Sequence, residues 1–201
     1  MSTTEHDRNT HVLMTHPRSE AERKEMALLG LLDERGEPRP FSEVSRPRRV
    51  RPAIEKVEIE NHEILNDAYA YEVPSSFARG LRVQMRAGSQ VLYISGTASI
   101  DDKGVTIYKG DFRAQCWRTW RNITMLLQSQ GADWHDIVRT TCYLRDIERD
   151  YQDFNEIRTH FFHAMGLRPL PASTGIQARL CREDLLVEIE AIAILQGGEP
   201  A

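Results

Sequence analysis

Long apolar runs are missing from this 201-residue chain; nothing in it approaches the roughly 20 consecutive apolar residues that a membrane-spanning helix needs. The opening MSTTEHDRNTHVLM has neither a basic start nor an extended apolar core, so no secretory leader is expected. Cysteine is scarce. Cys116, Cys142 and Cys181 are odd in number and form no CxxC pair, which points to a reduced, cytoplasmic setting. Charge of one sign is not in excess either: a net charge of −4 gives no global reason for nucleic acid or an anionic membrane as partner. A glycine-rich phosphate loop, a serine-hydrolase elbow and a nucleotide fingerprint are also absent. No internal repeat is visible.

What is present begins with a compositional step. Residues 1–53 are polar and hold most of the prolines, whereas 54–198 read as one folded domain. Within the first segment, Ser19 and Glu22 have capping-box spacing, and a short helix is expected somewhere in 19–35, with Leu28, Leu29 and Leu32 as its sticky side. Arg46, Arg48, Arg49 and Arg51 follow in SRPRRVRP. Without interleaved aromatics they read as a solvated, proline-stiffened linker.

From Lys56 the pattern turns to strands: 56–60, 68–73, 81–85, the doubly apolar QVLYIS at 90–95, and 105–108. QVLYIS reads as an interior strand buried on both faces. Asp111 is placed to cap a helix running to about Gln130, and its stripe is Cys116, Trp120, Ile123 and Leu127. A strand at 138–144 leads to Asp146, the cap of a second helix with the stripe Ile147, Tyr151, Phe154, Ile157 and Phe161. The three tryptophans read as packing residues, and Cys142 as core. His160 and His163 sit at i, i+3, but no third ligand has suitable spacing, so no metal and no cofactor are expected.

The most informative stretch is Pro171 to Leu195, read as two strands. In the second, Val187, Ile189, Ala191 and Ala193 form one apolar face. Glu188 and Glu190 share the other face with Leu186, Ile192 and Ile194. Neither open water nor a closed core suits such a face. A homo-oligomer that covers it and leaves a polar cleft at its edge does.

The local sequences LYISGTASIDDKG, GDFRAQCWRTWRNITMLLQSQGADWHDIVRTTCYLRD, DFNEIRTHFF and VEIEAIAIL, in that order, resemble successive blocks of the reactive intermediate deaminase (Rid, YjgF-like) superfamily. The resemblance covers roughly Phe77 to Leu195. It implies an α+β, chorismate-mutase-like fold, with a mixed sheet of about six strands and two helices on one face. It also implies a homotrimer with clefts between subunits, and hydrolysis of enamine or imine intermediates to ammonia and a 2-keto acid. SGTASI and LCREDLLVEIE are similar to the C-terminal half of chorismatases as well. That likeness implies shared descent of one domain and leaves an enol-ether hydrolase as an alternative.

By the same resemblance, the acid/base glutamate falls on Glu188, the asparagine of the second helix on Asn155, and the serine of the SG turn on Ser95. Where the family has a carboxylate-clamping arginine directly after Pro-Ala, this chain has Ser173. Where deaminating members have a tyrosine, it has Phe77. Those two departures leave open a non-catalytic, small-molecule-binding or regulatory module. With the clamp gone, Arg79 is the preferred cation for a substrate carboxylate, and Arg139 and Arg182 are runners-up. Ser173, Thr174 and Gly175 can hydrogen-bond a polar group, and Gln177 shares the strand face of Ser173 and Gly175. The expected partners are a small-molecule substrate and two further copies of the chain. RNA cleavage is argued against by the acidic net charge and the lack of aromatic-basic interleaving.

Overall fold

The computed structural model describes residues 15–40, 56–58, 81–83, 89–101 and 104–196. In chain order its elements are helix α1 (Glu20–Leu28), strands β1 (Lys56–Glu58), β2 (Leu81–Val83) and β3 (Gln90–Ala98), helix α2 (Phe112–Ser129), strand β4 (Ile137–Leu144), helix α3 (Ile147–Ala164), and strands β5 (Ala172–Gln177) and β6 (Val187–Leu195). Asp111 and Asp146 start the two long helices as expected. Each has extended backbone and accepts a hydrogen bond from an amide three residues on, Ala114 and Arg149 respectively.

The stripe Cys116, Trp120, Ile123 and Leu127 is fully buried, and so are Phe154, Ile157 and Phe161 on α3. Trp120 stacks on Phe161 at 5.4 Å and meets the edge of Trp134 at 5.4 Å. At about 1.5–3 kcal/mol per large side chain removed from water, this aromatic block holds α2 and α3 together over the sheet.

Strands β3 to β6 form a mixed sheet in the order β3-β6-β4-β5, in which β6 is antiparallel to both neighbours and β5 is parallel to β4. The expected sheet of about six strands is thus four-stranded among the described residues, with β1 and β2 paired to each other in a separate ladder. The 105–108 strand does not form. Only Thr106 bridges to Ile100, and Tyr108 takes a φ of 57°, which breaks an extended run. The strand expected at 68–73 lies outside the described residues. So do Phe77, Arg79 and the arginines of SRPRRVRP.

QVLYIS also departs from expectation. It belongs to an edge strand of this sheet: Leu92 and Ile94 pack on the core, while Tyr93, on the other face, is 78% exposed. The physical reason is that the described helices cover one face only, while on the other the small cluster of Leu180 and Leu185 lies at the Ala98 end of β3, away from Tyr93.

Of the expected sticky side, Leu32 is buried in the core and Leu29 packs against it, whereas Leu28 is exposed. The α1 segment is held by acid as well, since Glu22 and Glu25 are wholly buried. Glu22 accepts from the Arg18 amide at 2.7 Å, Arg113 Nε at 2.9 Å and Trp117 Nε1 at 2.9 Å. Glu25 accepts from the Tyr108 hydroxyl and pairs with Arg121 at 2.7 Å. No described helix is long and apolar enough to cross a membrane.

Candidate functional site

Cross-strand register assigns every side chain of the sheet to a face. Val187, Ile189, Ala191 and Ala193 of β6 point to the helices, together with Thr140 and Cys142 of β4 and Ser173 and Gly175 of β5. Glu188, Glu190 and Ile192 point the other way, aligned with Tyr143, Thr141 and Arg139 of β4 and with Ile176, Thr174 and Ala172 of β5. This second face, over which no described helix lies, carries the acidic groups.

Glu188 sits in a built setting there. Its cross-strand partners are Ala98 on β3 and Tyr143 on β4. Both pack against Leu180 and Leu185 of the β5–β6 connection, which forms a small second core over this end of the sheet. Beside it β3 bulges: Ser95 and Gly96 together stand opposite Glu190, between the paired Ile94 and Thr97. The bulge brings the Gly96 backbone under the Glu188 carboxylate, so that a Cβ at position 96 would lie 1.9 Å from Glu188 Oε1. Glycine is what leaves room for that carboxylate. Ser95 is exposed on the same bulge, its carbonyl accepting from Thr97 Oγ1 at 2.9 Å.

The Tyr143 hydroxyl donates to Glu190. Burial, that hydrogen bond and the charges of Glu190 and Glu188 hold the phenol above its ordinary pKa, with Arg139 acting in the opposite sense. Arg139 itself is exposed and donates to Thr174 Oγ1 at 3.2 Å. One face of one chain therefore carries two carboxylates, a phenol, a guanidinium and a hydroxyl. That is enough to move a proton and to hold a polar substrate.

A second cluster lies on the helix side, between α3 and β5, an edge strand of the sheet. Ser173 Oγ accepts from Thr140 Oγ1 at 2.9 Å and from Arg158 Nη1 at 3.1 Å, and Arg158 Nη2 donates to Asn155 Oδ1 at 2.8 Å. Gly175, next on this face, is exposed and faces the Tyr151 ring. Gln177 Oε1 accepts from the Ile147 amide at 3.0 Å and so helps to start α3. Cys142 lies beside Ser173, and burial raises its thiol pKa, which keeps it protonated and unsuited to nucleophilic attack.

The residues read from the sequence thus fall into two groups on opposite faces: Glu188, Ser95 and Thr174 with Arg139, and Ser173, Gly175, Gln177 and Asn155. Arg182 joins neither, since its guanidinium donates to the Gly104 carbonyl. His160, of the i, i+3 pair with His163, accepts the Thr15 amide at Nδ1 at 2.9 Å. Arg158 was missed. Its one signal was helical spacing, three residues after Asn155 on the face that looks at β5. Gly96 and Tyr143 were missed too, because their role depends on strand pairing.

A family model described as Endoribonuclease L-PSP matches residues 78–195. Among curated proteins, a RutC family protein of Pyrococcus horikoshii is 33% identical over 109 residues, covering 54% of this chain and 82% of that one. The 2-iminobutanoate/2-iminopropanoate deaminase of Mus musculus is 30% identical over 105 residues, covering 52% and 74%. A crystal structure of a conserved Rid-family protein of unknown function from Yersinia pestis aligns with TM-score 0.57 at 24% identity, over 70% of this chain and 98% of that one, a likeness of fold.

Proposed function

The chain belongs to the Endoribonuclease L-PSP family of the Rid superfamily, and from that premise we propose that it hydrolyses a small imine, enamine or related unsaturated carboxylate, with Glu188 as the acid/base group, in a cleft between two copies of the chain within a homotrimer. The observation that carries this reading is the Glu188 carboxylate lodged over Gly96 at the β3 bulge. A side chain is absent at the one place where it would displace that group. The substrate class follows the mouse relative, whose name specifies 2-imino acids.

The chemistry asks for a proton delivered to nitrogen or carbon, a held water and an anchored carboxylate. Glu188 supplies the first, at about 10²–10⁴ in rate for a positioned general acid/base. The face on which it stands supplies the hydroxyl donors. The two groups of site residues lie on opposite sides of one sheet, so a single chain does not bring both to one small molecule. In the proposed trimer the Glu188 face of one copy meets the β5 edge of the next, and the exposed Val91, Tyr93 and Ile176 supply apolar surface for the contact.

The test is turnover of 2-iminobutanoate generated in solution, scored as 2-oxobutanoate and ammonia. The wild-type chain accelerates the step, and Glu188→Gln lowers the rate by about 10²–10⁴. Enol-ether hydrolysis asks the same of Glu188, so an enolpyruvyl ether belongs on the same panel. Full activity of Glu188→Gln on any turned-over substrate rejects the mechanism. Ligand-induced thermal stabilisation without product assigns a binding role instead.

A further inference from the structure

Resting on that reading, we infer that the connection between β5 and β6 forms a fixed apolar wall at the blind end of the site, with Leu180 and Leu185 limiting the length of the aliphatic chain that a substrate carries beside Glu188. The rows of the sheet place this wall. On the face that holds the acids, Ala98, Glu188 and Tyr143 stand side by side on β3, β6 and β4. The next row holds Glu190 and Thr141, with Thr174 on β5. Leu180 and Leu185 pack with Ala98 and Tyr143, joined by Ile100 and Ala178. The leucines therefore close the sheet on one side of Glu188, and the row on its other side is polar.

Polarity then decides how a small unsaturated carboxylate lies beside Glu188. Its charged group gains nothing from leucine and is disfavoured there without a partner. Its aliphatic chain is the substituent that such a wall accepts. Leu180, Leu185 and Ala98 are all buried, so the wall offers a surface without depth, and a chain that outgrows it meets side chains already packed. The wall is also held in place. The Leu186 amide donates to Gln115 Oε1 at 2.8 Å, and Gln115 Nε2 donates to the Asp184 carbonyl at 2.9 Å. Arg145 Nε donates to the Leu185 carbonyl at 2.6 Å, and the Ala178 amide donates to the Leu144 carbonyl at 3.0 Å. Lys109 pairs with Asp184 at 2.9 Å. A connection fastened at both ends yields less than a free loop, which is what selection by chain length requires.

The experiment measures binding of 2-oxopropanoate, 2-oxobutanoate and 4-methyl-2-oxopentanoate, the stable keto acids of the corresponding imines, by titration calorimetry. Wild-type protein binds 2-oxobutanoate best and the branched chain at least about tenfold more weakly, the scale on which a pocket sorts aliphatic chains. Leu180→Ala brings the branched chain within about threefold of 2-oxobutanoate. Leu185→Ala does the same and serves if Leu180→Ala does not fold, whereas Leu180→Met, close in volume, keeps the wild-type order. Glu188→Gln keeps that order while losing turnover, so failure of the acid/base assignment is told apart from failure of this one. Equal affinities in the wild-type protein, or binding of none of the three, overturn the wall. So does an order that survives both Leu180→Ala and Leu185→Ala.

Discussion

At the scale of single residues, the contact between Gly96 and Glu188 is the most exposed to test. A Cβ at position 96 would meet only the far end of a flexible side chain, so Gly96→Ala can fold by swinging the carboxylate aside. We predict a melting temperature close to wild type and a turnover lower by about 10²-fold, the scale set by a misplaced reacting group. Melting curves and steady-state rates read the two effects separately. A second prediction concerns His160, whose pKa burial and the charges of His16, His163 and Arg113 lower to about 4. Unfolded, the same imidazole titrates near 6.5, so between these values the unfolded chain binds more protons. Stability is therefore flat above pH 6.5 and falls as pH drops towards 4, at up to roughly 1.4 kcal/mol per pH unit for this group. Urea midpoints at pH 7, 6 and 5 should show the fall, and His160→Leu should reduce its slope, leaving the part contributed by His163, which burial and Arg168 also lower to about 4. Protonation would also remove the Nδ1 lone pair that accepts the Thr15 amide.

At the scale of elements, α1 shows how sequence patterning and structure part company. Its cap was legible, since Ser19 accepts from the Glu22 amide as the spacing suggested. Its docking was legible only in part: Leu29 and Leu32 reach the core, but the burial of the acids was hidden. Two glutamates on a short helix read as a solvated face, and only the approach of Arg113, Trp117, Tyr108 and Arg121 from other parts of the chain makes them interior groups. Arg113 keeps Asp153 and Glu156 at Nη1, but removing Glu22 orphans its buried Nε and the Trp117 Nε1, so Glu22→Ala should cost about 1–3 kcal/mol by denaturant unfolding. A loss below 1 kcal/mol would mean that α1 is held by something else. The long helices were legible because caps and apolar stripes are local signals. Strand order was not. Pairing is non-local, and β4 intervenes between two strands that read as consecutive. Arg158 was hidden for the same reason: an arginine on a helix reads as surface until β5 closes over it.

At the scale of the whole molecule, the face that no described helix covers decides what the sheet is for. Its alternation of acid and aliphatic residues was readable from β6 alone, and the exposed Tyr93 and Val91 extend the apolar part onto β3. Covered by neighbouring copies, these side chains would bury surface worth about 1.5–3 kcal/mol each. Light scattering should therefore give the mass of three chains, and Tyr93→Glu should shift it towards one. A wild-type monomer would remove the second half of each proposed site.

The most direct measurement mixes two inactive proteins, Glu188→Gln and the double variant Ser173→Ala with Asn155→Leu, by refolding them together and assaying 2-iminobutanoate hydrolysis. If each site takes Glu188 from one copy and the polar side chains at the β5 edge from the next, a random cyclic trimer restores about a quarter of wild-type activity. A mixture no more active than its parents would contradict a site shared between copies, and with it the cleft in which Glu188 is proposed to act.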